Sequence, residues 1–162
     1  MLRKEVRRLL TIIMLFCFAV SGLHVYAAEN RVGEIVDGST LTDEMEVEYR
    51  EYSRARGTYL ASGTGRVTNL GGRQVYVSGG TNCHRVSDEV KVTLHLQRLE
   101  GGSWVNTGQV VTGISYNTYE VSAGNTFSVT GGYYYRVYGT HTAKKGSTSE
   151  SCSSYSDGLW VS

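Results

Sequence analysis

Residues 88–105 read DEVKVTLHLQRLEGGSWV, and this stretch decides the fold class. Apolar and polar side chains alternate through its first half, and the apolar members are Val90, Val92, Leu94 and Leu96. A period of two is typical of a β-strand with one buried face. Residues 100–103, EGGS, tolerate positive φ and predict a hairpin turn, with Trp104 opening the return strand. The stretch therefore predicts an all-β domain.

The amino terminus has the features of an export signal. A basic head, made by Arg3, Lys4, Arg7 and Arg8, precedes the apolar run LLTIIMLFCFAV at residues 9–20. Small residues then follow, and we predict a signal peptide over residues 1–27 with cleavage after Ala27. Cleavage after Ala28 and a retained signal anchor are the alternatives. The predicted location is extracellular, with no membrane association after cleavage except loose contact with the cell surface.

Charge argues against two classes of partner. The first 27 residues hold four of the 16 basic and one of the 15 acidic residues, so the mature chain carries 12 and 14, a net charge of −2. No cluster of Lys and Arg with interleaved aromatic residues occurs. Nucleic acid and anionic membrane are therefore not the predicted partners.

Two cysteines remain after cleavage. Cys17 leaves with the signal peptide, whereas Cys83 and Cys152 form an even pair in an exported chain. Such a pair predicts one disulfide bond. A metal site using both thiols is the alternative, and the absence of a CxxC pair disfavours it.

The mature chain divides into two parts. Residues 28–56 are acidic with few large apolar residues, and we predict a largely irregular N-terminal arm, with a binding tail as the alternative. Residues 57–162 contain seven or eight short segments of strand character separated by glycine-rich turns. With 20 Gly, no Pro and 12 Tyr in the chain, this composition predicts a β-sandwich.

Two family resemblances refine this prediction. The motifs VTLHLQR at 92–98, Trp104 after a glycine turn, and YYYRVYG at 133–139 resemble immunoglobulin-like and fibronectin type III-like domains. This resemblance implies an immunoglobulin-like antiparallel β-sandwich.

The second resemblance covers most of the mature chain. TLTDE at 40–44, RGTYL at 56–60, VKVTL at 90–94 and GYYYRV at 132–137 resemble a family of small secreted proteins from Gram-positive, clostridium-type bacteria, a domain of unknown function. It implies export and a β fold, and it supplies no active-site residues.

No pattern in the sequence predicts catalysis. Ser is frequent but no GxSxG motif occurs, and no Ser–His–acid set has a recognisable context. A metal pair made by His95 and His141 on neighbouring strands is the alternative, yet zinc sites use three or four protein ligands. We therefore predict no enzyme activity, no cofactor and no metal.

The candidate ligand-contact surface lies on the strand that follows residues 131–132. Tyr134, Arg136 and Tyr138 share one face of this strand, which we predict to be the outer face. Exposed aromatic residues beside an Arg suit a binding surface, although tyrosines also stabilise sheets without a ligand. The leading hypothesis is a non-catalytic extracellular binding or interaction module with a glycan or protein ligand. The alternative is a secreted antagonistic peptide of bacteriocin type.

Overall fold

The structure is a computed structural model that describes residues 31–52 and 57–162. All regular structure in these residues is β-strand, and the predicted signal peptide, residues 1–27, lies outside them. The strands are β1 (Ile35–Val36), β2 (Ser39–Thr42), β3 (Glu46–Tyr52), β4 (Leu60–Gly71), β5 (Gln74–Glu100), β6 (Ser103–Ser128), β7 (Tyr133–Lys145), β8 (Thr148–Tyr155) and β9 (Gly158–Val161). The described residues contain no helix long and apolar enough to span a membrane.

The nine strands form one sheet that curls back on itself. Its order is β1-β2-β9-β7-β5-β4-β3, while β6 pairs with β5 and β8 pairs with β7. The first half of β5 pairs with β4 and its second half with β7, and β6 accompanies both halves. The register of β5 shifts between Asn82 and Ser87. Because β5 passes from one layer to the other, β4 packs against β7 and β8.

The alternation predicted for the central strand is confirmed. Val90, Val92, Leu94 and Leu96 have no exposed surface and belong to the core between the two layers, which we call the inner core. The predicted hairpin is also present, because Glu100 pairs with Ser103 and both intervening glycines have positive φ. Positive φ at two successive residues is what a two-residue hairpin turn requires, and glycine meets it without steric cost.

The prediction of a largely irregular arm at residues 28–56 is wrong for its described residues. They contribute β1, β2 and β3 to the sheet, with β2 parallel to β9 and β3 antiparallel to β4. The arm has few apolar residues, but Val36, Leu41 and Val47 are all buried. A short alternating strand needs only one apolar side chain per pair of residues, so acidic composition did not prevent pairing.

A second buried cluster lies on the opposite face of β7, and we call it the outer core. Its buried members are Val36, Leu41, Leu99 and Tyr134, and Trp104 and Trp160 pack against them. The indole of Trp104 donates a hydrogen bond to the carbonyl of Val36 (3.0 Å). The β1–β2 hairpin therefore covers a face that a simple two-layer sandwich would leave to solvent.

The finer prediction of an immunoglobulin-like antiparallel sandwich is not confirmed. One hydrogen-bonded sheet contains all nine described strands, and one of its pairs, β2 with β9, is parallel. Residues 79–87, which contain two glycines and several polar side chains, are part of the continuous strand β5. The coarser prediction, an all-β domain, is confirmed. The prediction of seven or eight short strands is wrong, because there are nine strands in the described residues and β5 and β6 are 27 and 26 residues long.

The two cysteines that we predicted to pair, Cys83 and Cys152, are both half-buried, and no disulfide bond occurs within residues 31–52 and 57–162. Cys83 lies on β5 and packs against the inner core, while Cys152 lies opposite His141 on β8. Burial raises the pKa of the Cys83 thiol, which keeps it in the protonated and less reactive form. The disulfide therefore stays a sequence-based prediction.

Candidate functional site

The two histidines considered as a metal pair lie on opposite faces of the sheet. His141 has no exposed surface and belongs to the inner core, whereas His95 lies on the outer face, next to Tyr138. Their strands are neighbours, as predicted, but their side chains do not meet. No group of three His, Cys, Asp or Glu side chains arranged to hold a metal ion occurs among the described residues.

His141 is held in a neutral hydrogen-bonded network. Its Nδ1 lies 2.9 Å from Thr81 Oγ1, and its Nε2 lies 2.9 Å from Ser154 Oγ. Thr81 donates its only hydroxyl proton to the carbonyl of Lys91 (2.9 Å), so it accepts the Nδ1 proton of His141. Burial lowers the pKa of His141 to about 4. Ser154 and His141 are fully buried and out of reach of a substrate, so this hydroxyl–imidazole pair does not support a catalytic role.

The side chains of Tyr134, Arg136 and Tyr138 differ in exposure, and ligand contact by them stays a prediction. The three side chains share one face of β7, as predicted, but Tyr134 and Arg136 are 3% and 2% exposed. The outer core and the β1–β2 hairpin cover them, and the hydroxyl of Tyr134 accepts a hydrogen bond from the backbone N–H of Arg31 (3.1 Å). Only Tyr138, which is half-buried, reaches the surface.

Arg136 joins the arm to the sheet. Its guanidinium donates to Gln97 Oε1 (2.9 Å), to Ser39 Oγ (2.8 Å) and to the carboxylate of Asp37 (3.1 Å). It also lies over the rings of Trp104 and Tyr155, at 4.6 and 4.9 Å from their centroids. Burial lowers the pKa of the Arg136 guanidinium and the Asp37 carboxylate opposes that shift. The side chain is therefore a structural cation.

A row of stacked rings begins where this covered region ends. His95, Tyr138 and Tyr155 lie side by side on β5, β7 and β8. The first two rings are 5.8 Å apart with planes at 24°, and the second and third are 4.9 Å apart at 18°. We call these three residues the aromatic row. Tyr155, at its end, is 43% exposed.

The next row along the same strands consists of hydroxyl groups. Sheet register aligns its members across β6, β5, β7 and β8, and we call them the hydroxyl row: Thr112, Thr93, Thr140 and Ser153. Neither row contains a charged side chain. On the side of the hydroxyl row, the first charges on this face are Lys91 in the following row and the Lys144–Glu89 ion pair (2.8 Å) beyond it. On the other side, the guanidinium of Arg136 lies against the Tyr155 ring but is buried. The two rows form a four-strand surface about 15 Å across, which we call the outer platform.

A second polar surface lies on the other layer. Thr64, Asn82, Thr118, Glu120 and Ser122 line an open groove between β4, β5 and β6. Aromatic rings do not line it, and its walls carry hydroxyls, one amide and one carboxylate. The outer platform is the better candidate because it combines ring surface with hydrogen-bonding groups.

One comparison with known proteins identifies a family. The model of a family described as "Family of unknown function (DUF6147)" matches residues 21–158. The chain belongs to this family. No curated protein and no solved structure matches the chain. The family assignment confirms the resemblance to a domain of unknown function and adds no site residue.

Sequence reasoning found one part of the outer platform in this DUF6147 member and missed the rest. The outward direction of His95 and the strand face of Tyr138 follow from alternation alone. Tyr155 was missed because its strand neighbour is set by long-range pairing of β8 with β7. The signal that existed was the period of two in residues 151–155, which puts Ser151, Ser153 and Tyr155 on one face.

Proposed function

We propose that this protein is a non-catalytic extracellular binding module whose outer platform holds a neutral glycan. The observation that carries the proposal is the aromatic row beside the hydroxyl row on one face, with no charged side chain in either row. The curled sheet then acts as a rigid scaffold that displays this face, in the manner of immunoglobulin-like binding domains. Absence of catalysis and location outside the cell belong to the same proposal.

The chemistry of the platform favours a glycan over a protein ligand. Sugar rings combine apolar C–H faces with hydroxyl groups, so they suit tyrosine surface that lies next to threonine and serine hydroxyls. Protein hot spots more often bury an aromatic or Arg side chain in a pocket, and here the Arg of the strand is already enclosed by the outer core. The missing charge also favours a neutral glycan over an acidic one.

Retention on an array of neutral and acidic glycans tests the proposal. We expect binding to one class of neutral glycan, and Tyr155→Ser to weaken it by at least about tenfold, which is about 1.4 kcal/mol. Tyr76→Ser is the matched control, because Tyr76 is an exposed tyrosine on the outer side of the other layer. The control should bind like the unchanged protein.

Two results would contradict the proposed glycan site. If no neutral glycan is retained, or if Tyr155→Ser and Tyr76→Ser bind equally, the outer platform is not the glycan site. Thermal unfolding of both variants shows that each is folded. The bacteriocin-type alternative is supported by no particular residue or surface in the described chain.

A further inference from the structure

Four of the described strands have an open edge, and these edges differ in how well they are protected against pairing with another strand. Among the described residues, β1, β3, β6 and β8 each pair with a single strand. β1 is only two residues long, and the sequence of β3, EVEYREY, contains four charged residues. On β8, the Glu150 carboxylate accepts three backbone hydrogen bonds from residues 58–60, so that segment packs beside the strand. Short length, charge and covering segments are the usual protections of a sheet edge.

β6 has none of these protections. It is 26 residues long, has no Lys, Arg or Pro, and has Glu120 as its single charged residue. Its outward-facing side chains include Val110, Ile114 and Tyr116, which are 42%, 46% and 65% exposed. A long edge with a single charge and exposed apolar side chains favours addition of another strand.

Residues 110–116, VVTGISY, are the regular part of this edge. They pair with β5 without a register shift from Tyr116 opposite Glu89 to Val110 opposite His95. Gly108, with positive φ, and Asn117, also with positive φ, bound the segment on either side. The open edge of this segment offers backbone donors and acceptors that only another β-strand satisfies in a regular way.

We propose that a second copy of the chain pairs with β6 through residues 110–116, antiparallel and centred on Gly113. A two-fold axis through Gly113 puts Val110 of one copy opposite Tyr116 of the other, and Thr112 opposite Ile114. Each is a β-branched side chain opposite an aromatic or another β-branched one, the kind of cross-strand pair that stabilises sheets. The segment carries no charge, so the two identical edges do not repel each other.

The choice of a second copy over another partner follows from this self-complementarity. An isologous contact needs one surface that matches itself, and VVTGISY matches itself in this register on the outer face. Gly113 at the centre contributes no side chain to either face. The paired sheets continue the outer platform from one copy into the next, but the pairing stands without any glycan function.

The proposal is tested by measuring the mass of the protein in solution. The protein is expressed from the full chain and purified in its mature form. Sedimentation over a wide range of concentration should show a monomer–dimer equilibrium. Ile114→Lys should weaken the dimer by at least about tenfold, because it puts a charge into an uncharged strand pair. Leu70→Lys is the matched control, since Leu70 is 53% exposed on β4, and it should leave the dimer unchanged.

Two further measurements fix the site and the register. Backbone amides of residues 110–116 should exchange more slowly with deuterium at high than at low protein concentration. When Thr112→Cys and Ile114→Cys proteins are mixed and oxidised, peptide mapping should find a bond between positions 112 and 114 of different copies. A monomer at every concentration, a dimer that resists Ile114→Lys, or exchange that ignores concentration at residues 110–116 would each overturn the proposal.

Discussion

Both faces of β7 carry buried side chains, but these are buried by different means. The inner face carries Val137 and His141 and is covered by the other layer of the same curled sheet. The outer face carries Tyr134 and Arg136 and is covered by the β1–β2 hairpin and Trp104, which come from distant parts of the sequence. Alternation along the strand separates the two faces correctly, whereas burial of the outer one depends on segments about a hundred residues away.

The two faces also handle polar groups differently. The inner core contains a neutral imidazole whose two nitrogens are satisfied by Thr81 and Ser154. The outer core contains a cation, Arg136, paired with a carboxylate that stays largely exposed. Low dielectric favours the neutral form inside, and a paired charge is tolerated where one partner keeps contact with water. The following predictions test separately how much the buried cation of the outer core and the buried imidazole of the inner core contribute to stability.

Removal of the Arg136 side chain should have the largest effect. Arg136→Ala leaves Gln97 and Ser39 without their shared donor and opens a space between Trp104 and Tyr155. We expect the free energy of unfolding to fall by about 3–5 kcal/mol, measured by urea denaturation. Arg136→Met, which fills the space with apolar atoms, should cost less.

Arg98→Ala is the control for the outer core. Arg98 also lies over a tyrosine, Tyr133, at 4.4 Å, and pairs with Glu100, but on an exposed hairpin. Surface pairs of this kind are worth about 0–1 kcal/mol. Equal losses for Arg98→Ala and Arg136→Ala would mean that the outer core does not depend on its buried cation.

The inner core should respond to pH. The pKa of His141 is about 4 when the protein is folded and about 6.5 when it is unfolded. The unfolded chain therefore binds one more proton between these values, so stability is highest above pH 6.5 and falls as pH drops toward 4. The full loss is about 3 kcal/mol, measured as the free energy of unfolding against pH.

Two variants test whether His141 causes this dependence of the free energy of unfolding on pH. His141→Gln should flatten the curve between pH 6.5 and 4.5, although it lowers stability throughout, while His95→Gln on the outer platform should keep it. Carboxylates with lowered pKa, such as Asp88 and Glu150, lose their contribution only at lower pH. A slope that survives His141→Gln would contradict the buried neutral imidazole.

The smallest of the three effects concerns the fit of His141 against β4. A Cβ atom added at Gly63 would overlap the imidazole Cδ2 of His141, so one of the two groups would have to move. Gly63→Ala should therefore cost about 1–3 kcal/mol, and the cost should shrink when His141→Ala is added. Gly65→Ala, where the nearest atom is the end of Val137 at 3.1 Å, should cost less. Additive losses in the double variant would show that ring contact is not the cause.

Much of the fold can be predicted from the sequence, and the features that cannot be predicted share a physical reason. The central strand, its two-residue turn and the faces of β7 are local patterns that need no knowledge of neighbours. Burial of Tyr134 and Arg136, pairing of Tyr155 with Tyr138, and the strands of the arm all depend on which segments meet in space. Of Tyr134, Arg136 and Tyr138, only Tyr138 reaches the surface, because the strand pattern predicts which way a side chain points but not which segments cover it.

The 27-residue strand β5 has a consequence for how the molecule melts. Because β5 lies between β4 and β6 in one layer and between β7 and β6 in the other, loss of either layer removes strand partners from the same strand that the other layer needs. Heat or denaturant should therefore disrupt the whole domain in a single cooperative transition, and a fragment cut within residues 83–86 should retain neither half.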